Sequence, residues 1–317
     1  MELPVPAFAP DAVLVRVRAC GICGSDVHGM DGRTGRRISP LVMGHEAAGE
    51  IFAVGSDVDG WGVGDRVTFD STIFCGRCEF CRRGQINLCD DRQVLGVSCA
   101  EYRRQGAFAE FVAVPARVLC ALPEGLSYER AAMVEPVSVA VHGVHRAGIG
   151  PGSRVAVIGV GMIGLLVVQV LKAKGAGEVI AVDIDPAKLE LALALGADRT
   201  AASSAGMELD AAIEAVGVAS TVEMAIRSVR KGGSVGLVGN LSPSVEIPLQ
   251  AVVTRELTLS GSCASQGDYG ESLDLIASGR VRVDPLISER VPLEGAAEAF
   301  ARLYRGEKGL MKVMVCP

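Results

Sequence analysis

The segment GICGSDVHGM, residues 21 to 30, sets a thiol, a hydroxyl, a carboxylate and an imidazole between Cys23 and His28. Such groups serve as metal ligands, a reactive thiol or a proton relay, or they line a polar turn. Their local spacing leaves these readings open. A second group lies in LVMGHEAAGE, where His45 and Glu46 are adjacent, and a third in MVEPVSVAVHGVH, where Glu135 precedes a proline. A catalytic zinc takes three protein ligands with nitrogen, sulfur or oxygen donors and keeps one position for exchange. Cys23, His45 and an acid meet that need. Taken singly, His45 reads as a core histidine and Glu46 as a solvated acid. His142 and His145 stand three apart on an apolar helical stretch. They read as packing residues, because no third ligand accompanies them.

CGRCEFCRRGQINLC places Cys75, Cys78, Cys81 and Cys89 at a C-x2-C-x2-C-x7-C spacing. Four thiolates can surround one zinc tetrahedrally, and short spacers let one loop supply them all. The loop is polar and arginine-rich, with no apolar pattern of its own, so metal binding would hold it folded. Iron–sulfur ligation is the rival and unligated thiols the plainer alternative. With four sulfurs the site is closed, so a zinc here is structural.

SRVAVIGVGMIGLLVVQVLKAKGAGEVIAVDIDPAKLELALALGAD reads strand, glycine turn, helix, strand, acid, helix. Gly159, Gly161 and Gly164 supply G-x-G-x-x-G, with Met162 and Ile163 inside the motif. These glycines permit a tight turn, close approach of a pyrophosphate, and close helix–strand packing. The pyrophosphate then sits on the helix N-terminus. Asp183 ends the second strand, where a carboxylate binds the ribose hydroxyls of NAD and, with Asp185, repels the 2′-phosphate of NADP. LDAAIEAVG, GGSVGLVGN and ELTLSGS fit later strands of the same parallel sheet, separated by a helical stretch STVEMAIRSVRKGG. Val216 and Gly217, and Val238 and Gly239, end two of these runs where the ligand crevice of such a sheet lies.

These motifs need elements to hold them. A length of 317 residues favours two domains. The net charge of −6 and the lack of a basic block argue against a nucleic-acid role. MELPVPAFAP has neither a basic nor an apolar leader region, and so carries no secretory signal. The longest uncharged run, Val155 to Leu171, falls short of the ~20 apolar residues of a membrane span and contains Gln169. The expectation is a cytoplasmic protein with no membrane or nucleic-acid partner. Clustered cysteines in such a chain point to metal rather than disulfides. Nothing near Cys20, Cys99, Cys120, Cys263 or Cys316 marks an activated redox pair.

Taken together, CGICGSDVH, MGHEAAG, the four-cysteine lobe, MVEPVSVAVH, GVGMIG and VDIDPAKL resemble the zinc-dependent medium-chain dehydrogenases, in the sorbitol (polyol) and threonine dehydrogenase branch. The motifs run in family order from Cys20 to about Lys312. The resemblance implies an α/β chain: a GroES-like, β-rich catalytic domain over 1–136 and 265–317, and a doubly wound Rossmann NAD-binding domain over 137–264. It assigns a catalytic zinc to Cys23 and His45, with Glu46 a ligand or near-ligand and Glu135 a further ligand, direct or through water. Ser25 and His28 become a proton relay, Asp26 makes local backbone hydrogen bonds, and Cys20 is no ligand. The cofactor set also takes in Lys188 and Lys312.

The implied reaction moves a hydride from a secondary alcohol, a polyol or sugar alcohol, to NAD. The proton leaves through Ser25, the nicotinamide ribose and His28. Threonine-type amino-alcohol oxidation and sugar-phosphate oxidation are the neighbouring readings. A non-catalytic zinc- and nucleotide-binding scaffold is the reading from another class. Arg33, Arg36 and Arg37 would suit an anionic substrate, although a solvated loop is the simpler account. Gly29 stands where several sorbitol dehydrogenases carry an aromatic residue, which implies a different pocket. Relatives begin about two strands further upstream, so the resemblance implies an unprotected edge in the catalytic domain; in VLVRVRACG, Val13, Val15 and Val17 alternate as in a half-buried strand. It also implies a homodimer or homotetramer with Rossmann sheets joined edge to edge.

Overall fold

The structure is a computed structural model that describes residues 2–32 and 34–317. It divides into two compact units, residues 1–135 with 283–317, and residues 136–282.

The first unit is built on a seven-stranded sheet. Strand β1 (Ala12–Gly21) pairs antiparallel with β2 (Glu46–Val54) on one side. Helix α1 (Gly24–Gly29) follows β1 directly, with Cys23 as its N-cap. β2 pairs with β3 (Arg66–Phe69). On its other side β1 pairs with β4 (Phe111–Pro115) along its first half. β5 (Leu119–Ala121) closes the far edge on β3. Val13, Val15, Val17, Ile51, Val67 and Phe69 form the core of one sheet face. Helix α2 (Tyr128–Ala132) packs against β1 and β2. β1 keeps the expected alternation in its second half, where Val15 and Val17 are buried beside a partly exposed Arg16 and an exposed Arg18, whereas Ala12 to Val15 are all buried, so the first half is covered on both faces. The four-cysteine lobe branches off between β3 and β4.

The second unit starts inside helix α3 (Val134–Arg146). Its sheet contains β6 (Arg154–Ile158), β7 (Glu178–Val182), β8 (Arg199–Ala201), β9 (Leu209–Glu214), β10 (Val229–Leu237) and β11 (Thr258–Gly261). The spatial order is β8-β7-β6-β9-β10-β11, and all pairs are parallel. That is the dinucleotide-binding order, with the switch point between β6 and β9. Val155 to Ile158 is an unbroken buried run, as a strand covered on both faces requires. Helices α4 (Met162–Ala173), α5 (Pro186–Ala194) and α6 (Ala219–Ser228) connect the strands. The predicted helical stretch was longer than α6: Val229 already pairs with Leu209, so VRKGG belongs to β10. Asp185 caps α5 by accepting from Ala187 N–H, with Pro186 behind it.

Helices α7 (Leu249–Thr254) and α8 (Tyr269–Ala277) complete this unit. The return to the first unit lies at residue 283, later than the expected 265. Side-chain contacts explain the shift. Asp268 meets His142 and His145, and the Gln169 amide clasps both backbone groups of Arg282. The chain then adds β12 (Ile287–Pro292), α9 (Ala296–Tyr304) and β13 (Lys312–Cys316) to the first unit. β13 joins the second half of β1. Among the described residues, no helix is long and apolar enough to cross a membrane.

Candidate active site

Three strand ends meet in the first unit. β1 ends at Gly21, opposite Glu46 at the start of β2 and Met314 near the start of β13. This register delivers Cys23, the His45–Glu46 pair and Lys312 to one place. One donor atom each from Cys23, His45 and Glu46 lies within 4.8 Å of the others. Glu46 and His45 are buried. A soft thiolate, an imidazole and a carboxylate in that space form a donor set that fits zinc.

Asp26 supports His45. Its Oδ2 lies 3.3 Å from His45 Nδ1, an ion-pair contact whose angles fall short of a hydrogen bond. Its Oδ1 accepts from Arg37 Nε at 3.0 Å and Nη2 at 2.7 Å. With Nδ1 facing this carboxylate, His45 keeps Nε2 for a metal. Burial disfavours a charged His45, but the Asp26 carboxylate and Cys23 sulfur outweigh it and raise its pKa. Burial likewise works against the Asp26 carboxylate, yet His45 and Arg37 hold its pKa below the usual value. The local backbone role expected for Asp26 is therefore corrected: its partners lie 11 and 19 residues away. Arg37 is corrected with it, being neither solvated nor free for a substrate. A Cβ on Gly29 would come 2.7 Å from Arg37 Cγ, so this glycine makes room for the arginine. Arg36 is exposed, and Arg33 lies outside the described residues.

Glu46 Oε2 accepts from Lys312 Nζ at 2.5 Å, and the same ammonium donates to Ile22 O at 3.0 Å. A Cβ on Gly21 would lie 2.4 Å from Glu46 Oε2. The pair is almost fully buried, so Lys312 neutralises Glu46 inside the fold. Lys312, expected among the cofactor residues, thus directs its ammonium to Glu46 and Ile22 O, beside the Cys23, His45 and Glu46 group. Glu135 sits at the start of α3, half-buried. Burial and the Glu46 charge, opposed by His45, push its carboxyl up to about 7. Ser25 Oγ donates to Cys23 Sγ at 3.3 Å and accepts from Arg37 Nη2 at 3.4 Å. His28 is exposed one turn further along α1. Burial raises the Cys20 thiol well above its usual value, so it is held as an inert neutral thiol.

The four lobe sulfurs also lie within 4.8 Å of one another, and all are free thiols. Cys75 and Cys81 are 4.0 Å apart, close to the separation of about 3.8 Å that tetrahedral Zn–S bonds impose. Backbone N–H groups of Arg77 and Cys78 bond Cys75 Sγ and lower its pKa to about 6, while removal from water raises Cys81 to about 12. Few lobe side chains are buried, so the sulfurs are what a metal would tie together.

In the second unit the glycine turn opens α4. Gly159 has φ +84°, and a Cβ there would strike Val216 Cγ2 at 2.2 Å; one on Gly164 would meet Gly159 O at 1.9 Å. Gly161 is different. Its φ is −70°, and a Cβ would meet nothing within 4 Å. Neither backbone nor packing demands glycine there, whereas a pyrophosphate brought onto the turn does. Asp183 Oδ2 accepts from Val160 N–H at 2.9 Å and Oδ1 from Asp185 N–H at 3.0 Å. Lys188 is half-buried on α5. Ile163, Val216, Val238 and Gly239, with Asn240 and Leu241, line a cavity of about 200 Å³. Asn240 and Leu241 were not anticipated, since only their position after LVG pointed to them. Another cavity of about 210 Å³, lined by Phe8, Arg104 and Pro115 among others, contains none of these groups.

His142 and His145 do have carboxylate company. His145 Nδ1 is 3.1 Å from Asp268 and His142 Nδ1 is 3.3 Å from it. Glu271 completes a third group of metal-type donors with His145 and Asp268. Lys174 Nζ already occupies it, bonded to Glu271 and 2.9 Å from His145 Nε2. The histidines are part of an ion-pair network, so the packing reading is amended.

Residues 9–124 match the alcohol dehydrogenase GroES-like domain and residues 162–278 the zinc-binding dehydrogenase domain. The chain is similar to sorbitol dehydrogenase of Bacillus subtilis (strain 168), at 37% identity over 99% of this chain and 93% of that one. It is also similar to D-xylulose reductase A of Aspergillus niger, at 38% over 96% and 90%. Its structure superimposes on a protein described as a zinc-binding dehydrogenase of Sinorhizobium meliloti 1021, solved with NADP bound, with a TM-score of 0.92 at 35% identity, over 99% of this chain and 94% of that one.

Proposed function

The chain belongs to the zinc-dependent medium-chain dehydrogenase family, in its polyol dehydrogenase branch, and we propose that it moves a hydride from a secondary alcohol of a polyol or sugar alcohol to NAD. The observation that carries this reading is the convergence of half-buried Cys23 with buried His45 and Glu46, whose donor atoms lie within 4.8 Å of one another. When bound, zinc supplies there the Lewis acidity that lowers the pKa of an alcohol, and NAD supplies the hydride acceptor.

The chain's own residues divide the remaining work. Cys23 and His45 hold the metal, with Glu46 and Glu135 the flanking carboxylates. Asp26, anchored by Arg37, fixes the imidazole. Lys312 balances the Glu46 charge. Ser25 Oγ takes the alcohol proton and passes it toward His28, whose exposed imidazole returns it to water. Gly161 clears space for the pyrophosphate. The Asp183 carboxylate receives the ribose hydroxyls and, with Asp185, opposes a 2′-phosphate. This favours NAD, although one similar structure holds NADP.

Arg37 is spent on Asp26, which removes part of the case for a phosphorylated substrate. A panel of polyols, their phosphate esters and threonine, assayed with NAD, tests the class. Faster oxidation of free polyols supports this reading; preference for a phosphate ester or threonine replaces the substrate. The scaffold reading requires silence across the panel from protein that still binds zinc and NAD.

β11 is an edge strand of its sheet, and Leu249 and Val253 on α7 are 63% and 65% exposed. This supports a homodimer or homotetramer joined through that edge, and sedimentation would tell the two apart. Ten free cysteines suit a reducing cytoplasm.

A further inference from the structure

Glu214 ends β9 and is fully buried, yet no motif singles it out. Its Oε1 accepts from Val216 N–H at 2.9 Å and Gly217 N–H at 2.8 Å. Its backbone carbonyl accepts from Val238 N–H at 2.9 Å and Gly239 N–H at 3.1 Å. One residue therefore ties the loop after β9 to the loop after β10. The loops touch closely. A Cβ on Gly217 would come 2.2 Å from Asn240 N, and one on Gly239 would come 2.3 Å from Val216 backbone atoms. Gly217 also takes φ +86°, which a side chain would strain. Oε2 is buried with no hydrogen-bond partner among the described residues. A buried, half-paired carboxylate is costly to keep for structure alone.

The two tied loops line the cavity with Ile163. They lie on the β9–β10 half of the sheet, across the switch point from Asp183. The doubly wound fold places one mononucleotide on each half, with the adenosine ribose on the Asp183 side. The β9–β10 half thus faces the nicotinamide mononucleotide. We infer that Glu214 is a positioning residue for the nicotinamide half of the cofactor: it sets the Val216–Gly217 and Val238–Gly239 peptides that this half docks against. The inference rests on the proposed NAD-dependent function.

The test compares zinc-loaded wild type with Glu214→Gln and Glu214→Ala. Gln keeps one acceptor oxygen but loses the charge that strengthens both N–H bonds; Ala loses both bonds. NADH and AMP binding are measured by fluorescence and calorimetry, beside KM for NAD, kcat and zinc content. The expected result is NADH affinity about tenfold weaker in Gln and weaker again in Ala. AMP affinity stays within about twofold, with zinc content unchanged. Unchanged NADH affinity in both variants overturns the inference. So does a parallel loss of AMP and NADH binding, which marks a general defect of the sheet. Wild type that binds neither nucleotide overturns the underlying NAD reading instead, and is distinguished by failing before any substitution is made.

Discussion

Asp26 and His45, 19 positions apart in the chain, face each other at 3.3 Å, and Arg37 grips the opposite oxygen of the same carboxylate. The contact joins helix α1 to the start of β2 and aims the His45 ring. Losing such a support costs about 10- to 100-fold in metal affinity or activity. Asp26→Asn is expected to lower kcat/KM by that order while NADH binding holds. Arg37→Ala should damage stability more, by roughly 3–5 kcal/mol, because it removes the hydrogen-bonded partner of a buried carboxylate and leaves it only the His45 contact. Denaturant melts of both variants beside turnover would separate the two effects.

Gly21 is predicted to tolerate no side chain. The Cβ of Gly21→Ala would fall 2.4 Å from Glu46 Oε2, so the Glu46–Lys312 pair must move. Overpacking of this kind costs about 1–3 kcal/mol, and turnover should fall with stability. Wild-type kcat with an unchanged melting temperature would show that the pair has slack.

The metal-free protein should lose stability as pH rises. Glu135 titrates near 7 in the fold against 4.5 as a free side chain, so between these values the unfolded chain has already released its proton and the folded one has not. That stability is present below 4.5 and lost as pH climbs through 7. The raised pKa of His45 continues the trend upward. Zinc affinity runs the other way and strengthens with pH, since the ligands must deprotonate. Thermal melts of zinc-stripped Glu135→Gln should show a shallower pH slope than stripped wild type; equal slopes would remove Glu135 from the account.

Chelation should open the cysteine lobe before it disturbs nucleotide binding. With its sulfurs untied, the lobe has little buried surface to keep Arg82 and Arg83 folded. Limited trypsin digestion is expected to cut there only after zinc removal or in Cys78→Ser. AMP binding by the second unit should persist. Equal protection with and without metal would mean that the lobe folds on other contacts.

Asp183→Ala should erode the preference for NAD. The carboxylate also bonds Val160 N–H, so some loss with both cofactors is expected. The ratio of kcat/KM for NAD over NADP should fall at least about tenfold. An unchanged ratio would place cofactor choice elsewhere.

Much of the site could be read from sequence where chemistry and local spacing coincide. The lobe cysteines are close in the chain, so their meeting follows from loop geometry. The glycine turn and Asp183 belong to one strand–helix–strand unit, and the parallel sheet follows from its buried apolar runs. What escaped depends on distant packing. Asp26 looked like a turn residue because its partners, Arg37 and His45, come from later loop segments, the second directly before β2. His145 lacked a visible ligand because Asp268 lies 123 residues away. Glu214 was hidden in an apolar strand, where its role comes from the neighbouring loop. α6 ends at Ser228 rather than at the glycines because Val229 is claimed by pairing with Leu209, a tertiary event that helical spacing does not register.

The most direct test follows reduced-nicotinamide absorbance with zinc-loaded protein, NAD and a polyol, in wild type and Cys23→Ser, with NADH binding measured on both. The account predicts turnover by wild type, none by the variant, and similar NADH affinity. A Cys23→Ser protein that oxidises the polyol at the wild-type rate would contradict it, because the thiolate that anchors the metal would then have no part in the reaction.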